Sequence, residues 1–206
     1  DDSVAPGFLY KVNKATAELT PVGKLCVDEA DGITFDLTTN ILYGWGQDQG
    51  IFKVSRDANG ELDPDTCEIV LPGTGEIEDL TWNNDGTILY GVGNISEGDP
   101  DASNDDDKPR GVLVQYAPLT GEVNFPCGEV MEGLPEIEGM EMQPDGTLMF
   151  SYHDQNKVSV YGYIDPNSCM LYPGLDVDNA TPYNDIEALA CCVDKGVDLP
   201  WTYQQD

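Results

Sequence analysis

Glu76-Ile77-Glu78-Asp79-Leu80-Thr81-Trp82, then Asn83-Asn84-Asp85-Gly86, then Thr87-Ile88-Leu89-Tyr90-Gly91, decides how this chain is read. Two acids stand one residue apart, an apolar run follows, a turn dipeptide reverses the chain, and a second apolar run returns. The phrase recurs. Glu136-Ile137-Glu138 precedes Gly139-Met140-Glu141-Met142, the turn Asp145-Gly146 and the run Thr147-Leu148-Met149-Phe150-Ser151. Earlier, Glu29-Ala30-Asp31 precedes Gly32-Ile33-Thr34-Phe35, with Asn40-Ile41-Leu42-Tyr43-Gly44 as its second run. Late in the chain, Asp185-Ile186-Glu187 precedes Ala188-Leu189-Ala190-Cys191. Four copies spaced roughly 50 residues apart are the mark of a repeat architecture.

Working outward, each copy continues into an alternating third strand, at Gly50–Val54, Gly111–Tyr116 and Lys157–Tyr161. A polar turn and a weaker fourth strand containing a cysteine follow, at Cys67, Cys127 and Cys169. Asp-Gly between apolar runs signals hairpins, and no amphipathic helix competes with them. The chain is all-β. Four strands per repeat of 40–50 residues are the unit of a propeller blade. The ends have complementary deficits: residues 7–12 and 21–25 read as third and fourth strands lacking a first, and residues 187–191 as a first strand alone. The expected fold is a four-bladed β-propeller over residues 1–206, its last blade shared between the N- and C-terminal segments. Residues 96–110, with Asp99, Asp101, Asp105, Asp106 and Asp107, form an acidic loop insertion within it, too poor in apolar groups to be buried.

The phrases Ile137-Glu138-Gly139-Met140 and Pro144-Asp145-Gly146-Thr147-Leu148 are similar to repeats of extracellular β-propeller proteins, including calcium-dependent lactonases and phytases. That resemblance covers most of the chain but concerns architecture. It implies a channel lined by the first strand of each blade.

Charge narrows the function. With 39 acids against 9 bases the net charge is -30, which repels phosphate backbones and excludes nucleic acid as a partner. No run approaches the ~20 apolar residues of a membrane-spanning helix, so membrane insertion is not expected. The polar start Asp1-Asp2-Ser3 is read as following the removal of any targeting segment. Six cysteines without a Cys-x-x-Cys pair, beside a single histidine, argue for disulfides over zinc. The expected location is therefore extracellular, periplasmic or at the cell surface. Cys26 is expected to pair with Cys191 or Cys192 across the closing blade. The other then pairs with Cys67, Cys127 or Cys169, or stays free.

The acids are the candidate site. Asp31, Glu78, Glu138 and Glu187, with Glu29, Glu76, Glu136 and Asp185 behind them, are expected to converge on one mouth of the channel. Residues i and i+2 share a strand face, so both members of each pair can point to one space. Carboxylates in this number suit calcium or another divalent cation, which takes six to eight oxygens and relieves their repulsion. The competing assignment has them accept backbone N–H bonds at strand ends. His153 alone cannot supply paired imidazoles, and no Gly-x-Ser-x-Gly elbow or phosphate loop is present. Trp45, Trp82, Tyr152, Tyr161 and Tyr163 are expected to pack between blades. The leading function is a secreted, non-enzymatic protein binding a cation or cationic ligand, with any protein partner unspecified. The alternative is a small calcium-dependent hydrolase. Near-identical acidic pairs favour the first, because catalysis needs different roles from different blades.

Overall fold

The computed structural model describes residues 6–36, 38–73, 75–95, 110–128, 137–153 and 159–172. Among them are fourteen strands and one 3-10 turn, Pro64–Thr66. Strands β1 (Phe8–Val12) and β2 (Leu19–Lys24) form a two-stranded sheet. Three four-stranded antiparallel meanders follow. The first sheet holds β3 (Ala30–Phe35), β4 (Leu42–Gly46), β5 (Gly50–Val54) and β6 (Glu68–Pro72). The second holds β7 (Glu76–Trp82), β8 (Leu89–Ile95), β9 (Arg110–Ala117) and β10 (Glu122–Asn124). The third holds β11 (Ile137–Met142), β12 (Leu148–His153), β13 (Ser159–Asp165) and β14 (Met170–Tyr172).

The hairpins form where the Asp-Gly pairs stand. Gly86 and Gly146 take φ of 72° and 89°, which a residue with a Cβ adopts only with strain. Beside them the Asp85 and Asp145 carboxylates accept from the Thr87 and Thr147 amides at 3.0 Å. Those bonds, with the threonine hydroxyls, hold both carboxyls below the usual range. Asp57 and Asp165 are lowered in the same way by backbone and side-chain donors in their own turns. Part of the acidic composition is thus turn chemistry.

The core lies between successive sheets, face against face. Tyr43, Trp45 and Ile51 of the first sheet meet Ile77, Leu80, Trp82, Leu89 and Tyr116 of the second. The Tyr43 ring meets Trp82 edge-on at 5.1 Å. Tyr90, Val92 and Leu113 meet Ile137, Met140, Phe150 and Ile164 of the third sheet. Leu25 and Val27, with Leu9, cover Leu42, Phe52 and Val54. Trp45, Trp82 and Tyr152 pack as expected. Tyr163 does not: it is 38% exposed on the outer part of the third sheet. Inner strands touch in series, β3 against β7 and β7 against β11. The ring-closing strand expected at 187–191 lies outside the described residues, as does the insertion up to residue 109.

The disulfides correct the sequence reading. Cys26 bonds Cys67 and Cys127 bonds Cys169, so Cys26 does not reach Cys191 or Cys192, which lie outside the described residues. The physical reason is positional. Cys26 and Cys127 follow an outer strand, while Cys67 and Cys169 precede the outer strand of the next sheet. Each bond therefore staples neighbouring outer strands, closing sequence separations of 41 and 42. The cysteines stand beside the fourth strands, and Cys127 comes after its strand. Replacing Cys26 and Cys67 together by Ala should lower stability by about 2–4 kcal/mol, read by urea unfolding.

Candidate functional site

Each inner strand opens with the same irregularity. Ala30 pairs Gly46 but Ile33 pairs Gly44; Ile77 pairs Gly93 but Asp79 pairs Val92; Ile137 pairs Tyr152 but Gly139 pairs Ser151. One extra residue is inserted each time, and by alignment of the repeats it is Asp31, Glu78 and Glu138. A β-bulge breaks the two-residue alternation and re-aims the bulged side chain. The members of each acidic pair therefore do not simply share a face, contrary to the expectation from spacing.

Around Asp31 the acids do gather. Glu29 and Asp31 come from the entry to β3, Glu76 from the start of β7, and Asp48 from the β4–β5 turn. The turn is fastened to the second sheet: Gly75 N donates to Asp48 Oδ1 at 2.9 Å, Asp48 N donates to Gly75 O at 3.2 Å, and Trp45 Nε1 donates to the same carbonyl at 3.1 Å. Asp48 adopts φ 55° to make this contact, a left-handed conformation that Asp tolerates. Gln47 N donates to Glu29 O at 3.2 Å, tying the turn to β3 as well. Asp31 Oδ2 is buried without a hydrogen-bond partner. Burial, then Glu76, Glu29 and Asp48 in that order, push the Asp31 carboxyl up to about 6. The ion pairs among the described residues, Lys11–Glu61, Lys24–Asp28 and Lys53–Glu68, lie elsewhere.

Of the eight predicted ligands, Glu29 and Glu76 stand near enough to Asp31 to raise its carboxyl electrostatically. Glu78 and Glu138 hold the equivalent bulges, half-buried, one and two sheets further on. Glu136, Asp185 and Glu187 lie outside the described residues. Among the described residues no three acids, histidines or cysteines form a ready-made metal-ligating group. Asp48 was not anticipated, because it belongs to a turn and not to the repeated phrase.

Asp79 was also missed, and its role is structural. It stands where the neighbouring repeats have Gly32 and Gly139. Its side chain is 6% exposed; Oδ2 accepts from Met140 N at 2.7 Å and Oδ1 from Leu80 N at 2.8 Å. Thr81 continues the seam, accepting from Met142 N and donating to Glu141 Oε2, both at 3.2 Å. A Cβ on Gly32 would lie 2.8 Å from Asp79 Cα, so the inner strands approach too closely there for any side chain. The competing assignment, acids as acceptors of backbone N–H bonds, fits Asp79; Asp31 Oδ2 has no such donor.

Between the first and second sheets a cavity of about 550 Å³ opens beside the acids, lined by Trp45, Ile51, Leu71, Val114, Val123 and Phe125, with Asp48 and Glu76 among its walls.

The sheets are arranged as in a β-propeller. The chain superposes on a protein of a nidogen/laminin complex with TM-score 0.58 and 10% identity, covering 82% of this chain and 58% of that one. It is also similar to the extracellular domain of a two-component system protein from B. thetaiotaomicron (TM-score 0.49, 15% identity, 89% and 22% covered). An oligogalacturonate lyase in complex with manganese gives TM-score 0.48 and 17% identity, with 80% and 45% covered. The chain spans between about a fifth and three fifths of these proteins' own lengths. At such identities the likeness is one of fold. No protein-family profile matches the chain, and no curated relative does.

The shifted carboxyl carries its own test. Native Asp31 holds its proton up to about pH 6, whereas the unfolded chain releases it near the ordinary aspartate value of 3.8. The native state binds more protons in that window, so stability falls as pH rises from about 4 to above 6. Asp31→Asn should remove that slope. It should raise stability at pH 7.5 by about 1–2 kcal/mol, discounting for solvent screening, and change nothing below pH 4. Urea unfolding of the metal-free protein in EDTA at both pH values reads it.

Proposed function

We propose that this chain is an extracellular, non-catalytic binding domain that takes a divalent cation of the calcium type at the acidic mouth between its first and second sheets. One observation carries the reading: Asp31 keeps a buried carboxylate oxygen without a hydrogen-bond donor, among Glu29, Asp48 and Glu76, and no base among the described residues is paired to any of them. A buried carboxylate is stable only when something satisfies it, and a hard cation is the chemistry that does. The side chains would close in on the ion as it binds. The two outer-strand disulfides suit an oxidising compartment, and no helix among the described residues is long and apolar enough to cross a membrane. Metal analysis of protein purified without chelator should find about one equivalent of calcium, removed by dialysis against EDTA. Metal-free protein that takes up none on calcium addition refutes the proposal.

The proposal includes a ring of four blades, with residues 185–191 completing the sheet that β1 and β2 begin. Its support is that this sheet has two strands among the described residues where its neighbours have four, and that β2 leads into the Cys26–Cys67 staple. Removing residues 185–206 should lower the melting temperature of the whole domain by ~10 °C or more. A truncated chain that melts like the intact one excludes the closure. The hydrolase alternative has one supporting observation, a carboxyl that titrates near neutrality. It requires an activity that Asp31→Asn abolishes.

A further inference from the structure

We infer that the cavity between the first and second sheets binds a small organic ammonium whose apolar body lies against Trp45 and whose charge sits between Asp48 and Glu76. The inference rests on the cation-binding reading of this mouth, since Asp48 and Glu76 serve both, but concerns a different compartment and a different ligand.

The cavity is a built one. Its 550 Å³ falls within the range that small-molecule sites occupy. One wall is the Trp45 indole, 7% exposed and anchored through Nε1 to Gly75 O. Gly73 lies flat against that ring, where a Cβ would come within 2.6 Å of Cη2. Ile51, Leu71 and Val123 supply aliphatic surface, and Phe125, 42% exposed, stands at the opening. An indole with its N–H already bonded offers its face to an alkyl or aryl group, and its quadrupole favours a cation nearby.

The polar groups are of one sign. Asp48 and Glu76 line the cavity, and among the described residues no Lys, Arg or His does. Asp48 is held by Gly75 N on one oxygen, which leaves Oδ2 to accept from a ligand. The Glu76 side chain makes no hydrogen bond or ion pair within the described residues, lines the cavity and acts electrostatically on Asp31. An anionic ligand is repelled. A neutral apolar ligand gains the walls but nothing from the acids. A primary ammonium uses both, donating to two carboxylates while its body fills the apolar volume.

Titration calorimetry of the intact chain at pH 7.5 with 2-phenylethylamine, 2-phenylethanol and 3-phenylpropionate tests this. The amine should bind at least tenfold more tightly than the alcohol, and the acid should not bind. Glu76→Gln and Asp48→Asn should each weaken the amine at least tenfold. Val123→Phe, which fills the cavity from its edge strand, should abolish amine binding while leaving calcium uptake intact. Equal affinity for amine and alcohol overturns the inference, and so does unchanged amine affinity in Val123→Phe. Calcium uptake without amine binding overturns it too, while leaving the divalent-cation reading standing.

Discussion

Replacing Asp79 with Ala is expected to destabilise the domain by about 3–5 kcal/mol. The carboxylate is almost fully buried and accepts two backbone N–H groups, Met140 N at 2.7 Å and Leu80 N at 2.8 Å. Removing it strands both donors away from water, and each orphan costs about 1–3 kcal/mol. The first of these bonds also crosses from the second sheet to the third. Inner strands of neighbouring sheets share no ladder, so Asp79 and Thr81 make by side chain the join that backbone pairing makes within a sheet. Urea unfolding followed by tryptophan fluorescence measures the loss. Asp79→Asn retains one acceptor and should lose less. A loss under about 1 kcal/mol for Ala would show that the seam is held by packing alone.

The second large effect is at Phe52, which is 0% exposed beneath the two-stranded sheet. Phe52→Ala should cost about 3–5 kcal/mol as transfer and cavity terms add. Its ring lies over Gly44, its cross-strand partner, where a Cβ would come within 2.3 Å of Cζ and 2.9 Å of Gly32 O. Gly44→Ala alone should therefore cost about 2–3 kcal/mol by overpacking. In the double variant the new methyl occupies part of the vacated space, so the two losses should fall short of additive by at least about 1 kcal/mol. Full additivity would contradict the packing described. Phe150 over Gly162 repeats the arrangement in the third sheet.

The strand pattern was legible because period-two alternation and Asp-Gly turns are local signals. β5 falls on Gly50–Val54 as read, and the second strands begin within a residue or two of their expected starts. The acidic phrase was legible as a repeat, but its geometry was not. A bulge is a register difference between two strands, visible only once Ala30 and Ile33 are paired with Gly46 and Gly44. For the same reason spacing predicted a shared face for Glu76 and Glu78 that a bulged strand does not provide. The disulfide partners were misread from the ends of the chain. The outer-strand positions of Cys26, Cys67, Cys127 and Cys169 are equivalent within the repeat, and that equivalence held the usable signal. Asp48 left no such trace. It joins Asp31 because a left-handed turn residue meets Gly75 of the next sheet, a contact no sequence period encodes. Asp79 did leave one: an acid at a position where two sibling repeats carry glycine.

Whether the Asp31 mouth takes a cation is tested most directly by thermal melting against calcium concentration. The intact chain, stripped of metal and buffered at pH 7.5, should melt at temperatures that rise with the logarithm of free calcium, because binding favours the native state alone. Asp31→Asn combined with Glu76→Gln should fold, melt higher than the metal-free parent, and show no calcium dependence. Superimposable melting curves of the unaltered chain in calcium and in EDTA would contradict the proposed function.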